Sequence, residues 1–205
     1  TKLKLNANNE LTILGLGAID NFKLNLAANT TPDQQYILGY LPDNDQWNYT
    51  VGARHKLYKE NSTWMFILSR SMFNNRVVKY ENNDDSSNDN LNLKVVSREI
   101  DNKLRVENTA RIKGWKYTLG FGGELSKYTN ATYNKVFIPN LGEQVIDFDG
   151  NLLFAKYSVF GQVSRAIFNN RLDISIGARL DGASYNEKMS NPFKQFSPRL
   201  SLNYG

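Results

Sequence analysis

The 205-residue chain contains no cysteine and a single histidine. The first absence excludes disulfides and thiolate metal sites. The second leaves His55 as the only imidazole, too few for zinc, which takes several His or Cys ligands. His55 lies between Arg54 and Lys56 on or near a strand. A nucleophilic triad would need it as a base beside a serine and a carboxylate, and nothing in its surroundings marks that arrangement. It reads as a surface residue, and no enzymatic activity or cofactor is expected. Long hydrophobic runs are missing too: no window holds 18 unbroken apolar residues, and mean hydropathy is −0.52. Helical membrane spans are therefore absent from the pattern. A transmembrane barrel escapes this test, because its lipid-facing residues occupy every second position. The opening segment, "TKLKLNANNE", has no apolar core of a secretory leader. Net charge is +5 and the isoelectric point 9.3, yet the basic residues are scattered along alternating strands. Without a basic patch or recognition helix, no nucleic-acid partner is expected.

Helix-length periodicity is scarce, and alternation with period two recurs instead. In "NNRLDISIGARLDGASYN", residues 169–186, Leu172, Ile174, Ile176, Ala178 and Leu180 share one face. Asp173, Ser175, Gly177, Arg179 and Asp181 share the other. "QWNYTVGARHKLY" (46–58) sets Trp47, Tyr49, Val51, Ala53 and Leu57 against Asn48, Thr50, Arg54 and Lys56. "NKLRVENTARIK" (102–113) sets Leu104, Val106, Ala110 and Ile112 against Lys103, Arg105, Glu107, Thr109, Arg111 and Lys113. "WKYTLGFGGELSKY" (115–128) repeats the alternation, with Glu124 on the polar side.

Strands are expected at 16–29, 47–58, 63–80, 93–112, 115–132, 151–168, 171–185 and 197–205. The links alternate in length. Long, polar ones occupy 30–46, 81–92, 133–150 and 186–196, and short ones 59–62, 113–114 and 169–170. In an up-and-down sheet this puts the long links at one end and the tight turns at the other. Outer-membrane barrels are built that way. The strands also exceed the ~5–6 residues usual in soluble sheets. Tyr58, Trp64, Trp115, Tyr117 and Phe168 gather near the short turns, as an interfacial girdle would. The apolar faces are assigned to lipid and the charged faces to a wet lumen, since so many charges could not fill a dry interior. Arg54, Lys56, Arg105, Glu107, Arg111, Glu124 and Arg179 are the expected lumen-facing ligand contacts.

Other motifs carry less. "DNDQ" (43–46) and "ENNDDSSND" (81–89) hold carboxylates and amides but not the spacing of a calcium loop, and read as solvated loops. Gly15 and Gly17 in "LGLGAIDN" precede no phosphate-binding helix. Gly120, Gly122 and Gly123 are expected to mark curvature or a bulge.

"YSVFGQVSRAIFNNRLDISIGARLDGASYN" followed by "NPFKQFSPRLSLNYG" resembles the barrel of TonB-dependent outer-membrane receptors. The elements that carry the resemblance are Gly177-Ala178-Arg179-Leu180-Asp181 and Ser197–Tyr204, with "FGGELSKY" and "YTVGARHKLY" also similar. The resemblance covers most of the chain. It implies a 22-strand barrel preceded by a plug and a TonB-contacting segment, and energised uptake of a metal chelate, vitamin or glycan. Residues 1–205 are then expected to form a partial barrel of eight or nine strands, lacking plug and TonB box. The expected fold is an all-β antiparallel up-and-down meander, part of a large transmembrane β-barrel in the cell outer membrane. Expected partners are outer-membrane lipid, a small nutrient ligand and TonB through the plug region of the parent, with edge-to-edge self-association of the isolated piece. The alternative is a soluble β-sandwich or β-barrel binding glycans or lipids.

Overall fold

The computed structural model describes residues 1–205 and contains one antiparallel sheet of nine strands, each paired with its neighbours in chain order. The strands are β1 (Lys2–Asn6), β2 (Asn9–Phe22), β3 (Asp43–Tyr58), β4 (Ser62–Tyr80) and β5 (Leu91–Ile112). They continue as β6 (Trp115–Ile138), β7 (Gly142–Ile167), β8 (Leu172–Ala183) and β9 (Phe196–Tyr204). This is the expected up-and-down meander. The sheet is open: β1 and β9 are not paired with each other, so each leaves one edge free.

Only seven of the 205 residues are buried, far too few to form a protein core. Cohesion comes instead from the ladder, since 129 of 145 backbone hydrogen bonds lie within strands and helices. A sandwich or small barrel would close an apolar interior; this sheet closes none. The soluble alternative fails on that point.

Register sorts the side chains by face. Ala53, Leu68, Leu104 and Gly123 form one row, and Tyr117, Val163, Ile176 and Leu200 another on the same face. The opposite face carries rows such as Arg54, Ile67, Arg105, Gly122, Ser158 and Asp181. The apolar face is open to its surroundings: Leu119, Ile176 and Leu200 are 65%, 61% and 66% exposed. Its apolar stretch runs from Trp47 to Leu57 in β3, from Trp115 to Leu125 in β6 and from Leu172 to Leu180 in β8. Those lengths match the ~9–11 residues that cross a hydrocarbon layer. Aromatic rings bound it at both ends, Trp64, Trp115 and Tyr117 below and Trp47, Tyr49 and Tyr157 above. The sequence pattern had pointed to the lower ring set alone. β2 departs from the rule, with Leu14 and Leu16 exposed on the polar face.

Tight turns at 7–8, 59–61, 113–114 and 168–171 lie at one end of the sheet. Lys113 and Gly114 take positive φ (48° and 79°), as a two-residue hairpin turn requires, and Asn169 and Asn170 do the same in theirs. The other end carries the connections 23–42, 81–90 and 184–195 and the tip 139–141. Three departures from expectation follow. Residues 133–150 are not a long link: β6 and β7 continue as a ladder to Ile138 and Gly142 and project past their neighbours. Residues 9–15 are strand and 23–29 are not, because the chain opens with a β1–β2 hairpin. Gly120, Gly122 and Gly123 mark no bulge, since β6 pairs with β5 and β7 without a register shift. Gly120 and Gly122 are instead recesses: a Cβ on Gly120 would strike the ring of Phe160, and one on Gly122 would lie 2.7 Å from Ser158 Oγ.

The link 23–42 holds a helix, α1 (Pro32–Tyr40), started by Thr31. The Thr31 hydroxyl accepts from the Gln34 N–H, the Gln34 side chain accepts from the Thr31 N–H, and Pro32 occupies the first turn. Lys79, near the end of β4, donates to the Leu38 and Leu41 carbonyls, both at 2.9 Å, and to the Asn83 side chain. A cation on the last carbonyls of a helix suits its dipole, and here it ties α1 to the sheet.

Candidate functional site

The polar face is a wall of side chains projecting from adjacent strands. On β5, Lys103, Arg105, Glu107 and Arg111 alternate with apolar residues, so strand geometry alone puts them on one side. Register then brings the neighbours. Lys103, Glu124 and Lys156 stand in one row across β5, β6 and β7. Glu124 accepts from Lys156 Nζ at 2.7 Å, and Lys103 Nζ lies 3.4 Å from it and 3.5 Å from Asp101. The Ser126 hydroxyl sits between the two carboxylates, 2.7 Å from Asp101 and 2.9 Å from Glu124. Arg105 pairs with Glu107 at 2.7 Å, and Arg179 pairs with Asp181 at 2.7 Å.

These groups border a recess of about 630 Å³. Arg105, Glu124, Lys156 and Arg179 supply its charged rim, and Phe154, Phe160 and Tyr185 its aromatic surfaces. The Arg105 guanidinium lies 4.8 Å from the Phe160 ring centroid, and Lys156 Nζ 5.2 Å from that of Phe154. Phe154 meets Tyr185 edge-on at 5.7 Å. Phe160 fits against the wall because Gly120 opposite it has no side chain. The recess thus offers flat apolar faces beside donors and acceptors. Its cations are matched by carboxylates within the wall, so it suits a polar ligand with a planar or apolar surface better than a bare ion.

All seven expected contact residues lie on the polar face, but they do not converge. Arg105, Glu124 and Arg179 border the recess, and Glu107 holds Arg105 from behind. Arg54 is two strands away on β3, bonded to Thr12 at 3.2 Å and 3.8 Å from Glu10. Lys56 and Arg111 lie nearer the tight-turn end. Phe154, Lys156, Phe160 and Tyr185 had not been singled out. Alternation marks the first three, yet both faces of β7 carry aromatics there, which masks the pattern. His55 is on the apolar face, stacked on Phe66 at 6.0 Å, with Nε2 3.0 Å from the Asn9 side-chain oxygen.

The sequence model of the family "TonB dependent receptor-like, beta-barrel" matches residues 3–205. The chain belongs to this family. Its apolar face is accordingly the lipid face of an outer-membrane barrel wall, and its polar face the lumen. Among solved structures, the outer membrane transporter YddB from Escherichia coli is similar in fold. That match has a TM-score of 0.61 and 11% identity, covering 99% of this chain and 28% of YddB. The copper transporter OprC aligns with a TM-score of 0.41 and 14% identity, over 96% of this chain and 36% of its own. No curated protein matches the sequence. The chain therefore spans little more than a quarter of the transporter whose fold it shares.

Proposed function

We propose that residues 1–205 are an arc of a larger receptor barrel that takes up a scarce nutrient in a TonB-dependent, energised step. The observation that supports this best is the division of one coreless sheet into a lipid face and a charged lumen wall, within a chain of this family. The free edges of β1 and β9 then belong against further strands of the barrel, and in an isolated chain they would pair with another copy. The nutrient is a metal chelate, a vitamin or a glycan. It meets the wall at the recess between Arg105, Lys156 and Arg179, with Phe154, Phe160 and Tyr185 as apolar platforms, while Arg54, Lys56, Glu107 and Arg111 line its path.

The test uses cells with and without the full-length receptor, each with and without TonB. They are offered a ferric hydroxamate chelate, cobalamin or a linear oligosaccharide. Accumulation of one of these is expected to require both proteins and to fall in Arg105→Ala and Phe160→Ala variants. Accumulation of all three that is indifferent to the receptor and to TonB would contradict the proposal.

A further inference from the structure

Closing the barrel would still leave one strand edge uncovered. Further strands of the parent join β1 and β9, whereas β7 lies inside the sheet between β6 and β8. The β6–β7 ladder runs up to Ile138 and Gly142, but β8 stops opposite Lys156, at Ala183. The stretch 142–155 of β7 therefore stands above β8 with one side vacant. Only Ser184 continues the pairing: its N–H donates to the Ala155 carbonyl, and its hydroxyl accepts from the Ala155 N–H, both at 2.8 Å. Backbone groups alternate in direction along a strand, so those of Val145, Asp147, Asp149, Asn151 and Leu153 point the same way as those of Ala155. None of them bonds to a neighbouring strand or connection on that side. Every residue from 143 to 153 except Gly150 is exposed. At ~3.4 Å per residue this edge is ~37 Å long.

An unpaired edge is a template for another strand. The connection 184–195 does not supply it. After Ser184 the chain turns into α2 (Glu187–Ser190), and the Tyr157 hydroxyl donates to the Ser190 carbonyl, holding the connection back toward β8. A second copy of the same edge is disfavoured by charge. Asp147 and Asp149 take part in no ion pair, and two such edges set together would bring carboxylate against carboxylate. The side chains also say what does fit. The lumen side of the edge carries the exposed Ile146, Phe148 and Leu152, and the outer side Asp147 and Asp149. A strand laid along it needs apolar residues on the first side and basic ones on the second, in alternation.

We infer that residues 143–153 are a docking edge for an extended segment of a second, extracellular protein, added to the sheet as a strand above β8. The long connections mark this end of a membrane barrel as the outer one, so the edge stands in the external medium. Main-chain bonds to Val145, Asp147, Asp149, Asn151 and Leu153 hold the segment, and alternate side chains select it. In an antiparallel pairing the residues opposite Asp147 and Asp149 turn their side chains outward and their N–H groups toward β7. The basic residues of the segment are thus the ones whose backbone makes the bonds.

The experiment places the full-length receptor in phosphatidylcholine nanodiscs and adds a fluorescein-labelled peptide of alternating lysine and valine, its binding read by fluorescence anisotropy. Methylating the backbone nitrogens of the lysines keeps every charge and removes the donors that face β7. That peptide should bind about tenfold more weakly or worse, whereas methylation at the valines should leave binding unchanged. Val145→Pro/Asn151→Pro deletes two donors on the vacant side and none from the β6 ladder, and should cost a similar factor in a receptor that still migrates as a folded barrel. Asp147→Asn/Asp149→Asn, which keeps the backbone intact, should weaken binding several-fold. Equal affinity for the two methylated peptides, or no binding of the unmodified one, would overturn the inference. Receptor pairs held together through this edge would overturn it in favour of a second copy. Ready disulfide formation in Leu152→Cys/Glu187→Cys would overturn it in favour of the connection 184–195.

Discussion

Gly120 on β6 and Phe160 on β7 stand directly opposite one another, and the Phe160 ring lies where a Gly120 side chain would be. The Arg105 guanidinium lies over that ring, 4.8 Å from its centroid. The glycine is thus part of the recess although it contributes no side chain. Gly120→Leu should displace the ring and cost ~1–3 kcal/mol, the usual scale of overpacking. Urea unfolding of the full-length receptor in bilayers measures it. Stability unchanged within error would mean the ring is free to leave.

The assignment of faces predicts an asymmetry between neighbours on β8. Ile176 lies mid-band on the lipid face, and Ser175 on the lumen face, 2.7 Å from the Gln162 side-chain nitrogen. Ile176→Arg should cost ~2–4 kcal/mol, while Ser175→Arg should leave folding nearly intact. The fraction that resists SDS without heating reports both. Equal assembly of the two variants would count against the faces as assigned.

A second glycine–aromatic pair anchors the connection 184–195. Tyr157 lies across Gly182, where a Cβ would be 2.5 Å from the ring, and its hydroxyl donates to the Ser190 carbonyl at 2.5 Å. Tyr157→Phe keeps the ring and loses the bond, at ~0.5–1.5 kcal/mol. Faster proteolysis within 184–195, with barrel stability unaltered, is the expected result. A cleavage rate equal to the wild type would show that the bond does not hold the loop.

The connection 81–90 is held partly by Asp84. The Ser86 hydroxyl and N–H bond its carboxylate, the latter at 3.0 Å, and the Asn90 side chain donates to it at 3.0 Å; these hold its pKa below the ordinary carboxylate range. The folded pKa is depressed, so the stabilisation is fully present above the unfolded value and is lost as pH falls through the folded one. Hydrogen-exchange protection at 84–90, corrected for the intrinsic pH dependence of amide exchange, should therefore be high at neutral pH and fall in acid. Asp84→Asn should remove most of that pH dependence, and an identical acid response in the variant would exclude Asp84 as its source.

Much of the sheet was legible because a membrane-crossing strand shows its two environments in alternate letters. Residues 46–58, 102–113 and 172–181 display this directly. The β6–β7 projection did not, because above the lipid the rule inverts. There the lumen side carries Ile146, Phe148 and Leu152 and the outer side Asp147, Asp149 and Asn151, amid Pro139, Asn140 and Gly142. Read with the membrane pattern, that stretch resembles loop. α1 was legible in principle from Thr31-Pro32 and Gln34, but nine residues in a polar link fell below the periodicity signal. Within the site, parity identified Arg105, Glu124 and Arg179. It could not show that Lys156 meets Glu124 from 32 residues away, because that depends on cross-strand register.

One face of this sheet meets lipid and the other water. Since these residues include no cysteine, single cysteines can be introduced along β8 of the full-length receptor at Asp173, Ile174, Ser175, Ile176, Arg179 and Leu180 and nitroxide-labelled in bilayers. Relaxation by oxygen, concentrated in lipid, is compared with relaxation by a water-soluble nickel complex. Oxygen maxima are expected at 174, 176 and 180 and nickel maxima at 173, 175 and 179. Accessibility without a two-residue period, or with the maxima exchanged, would contradict it.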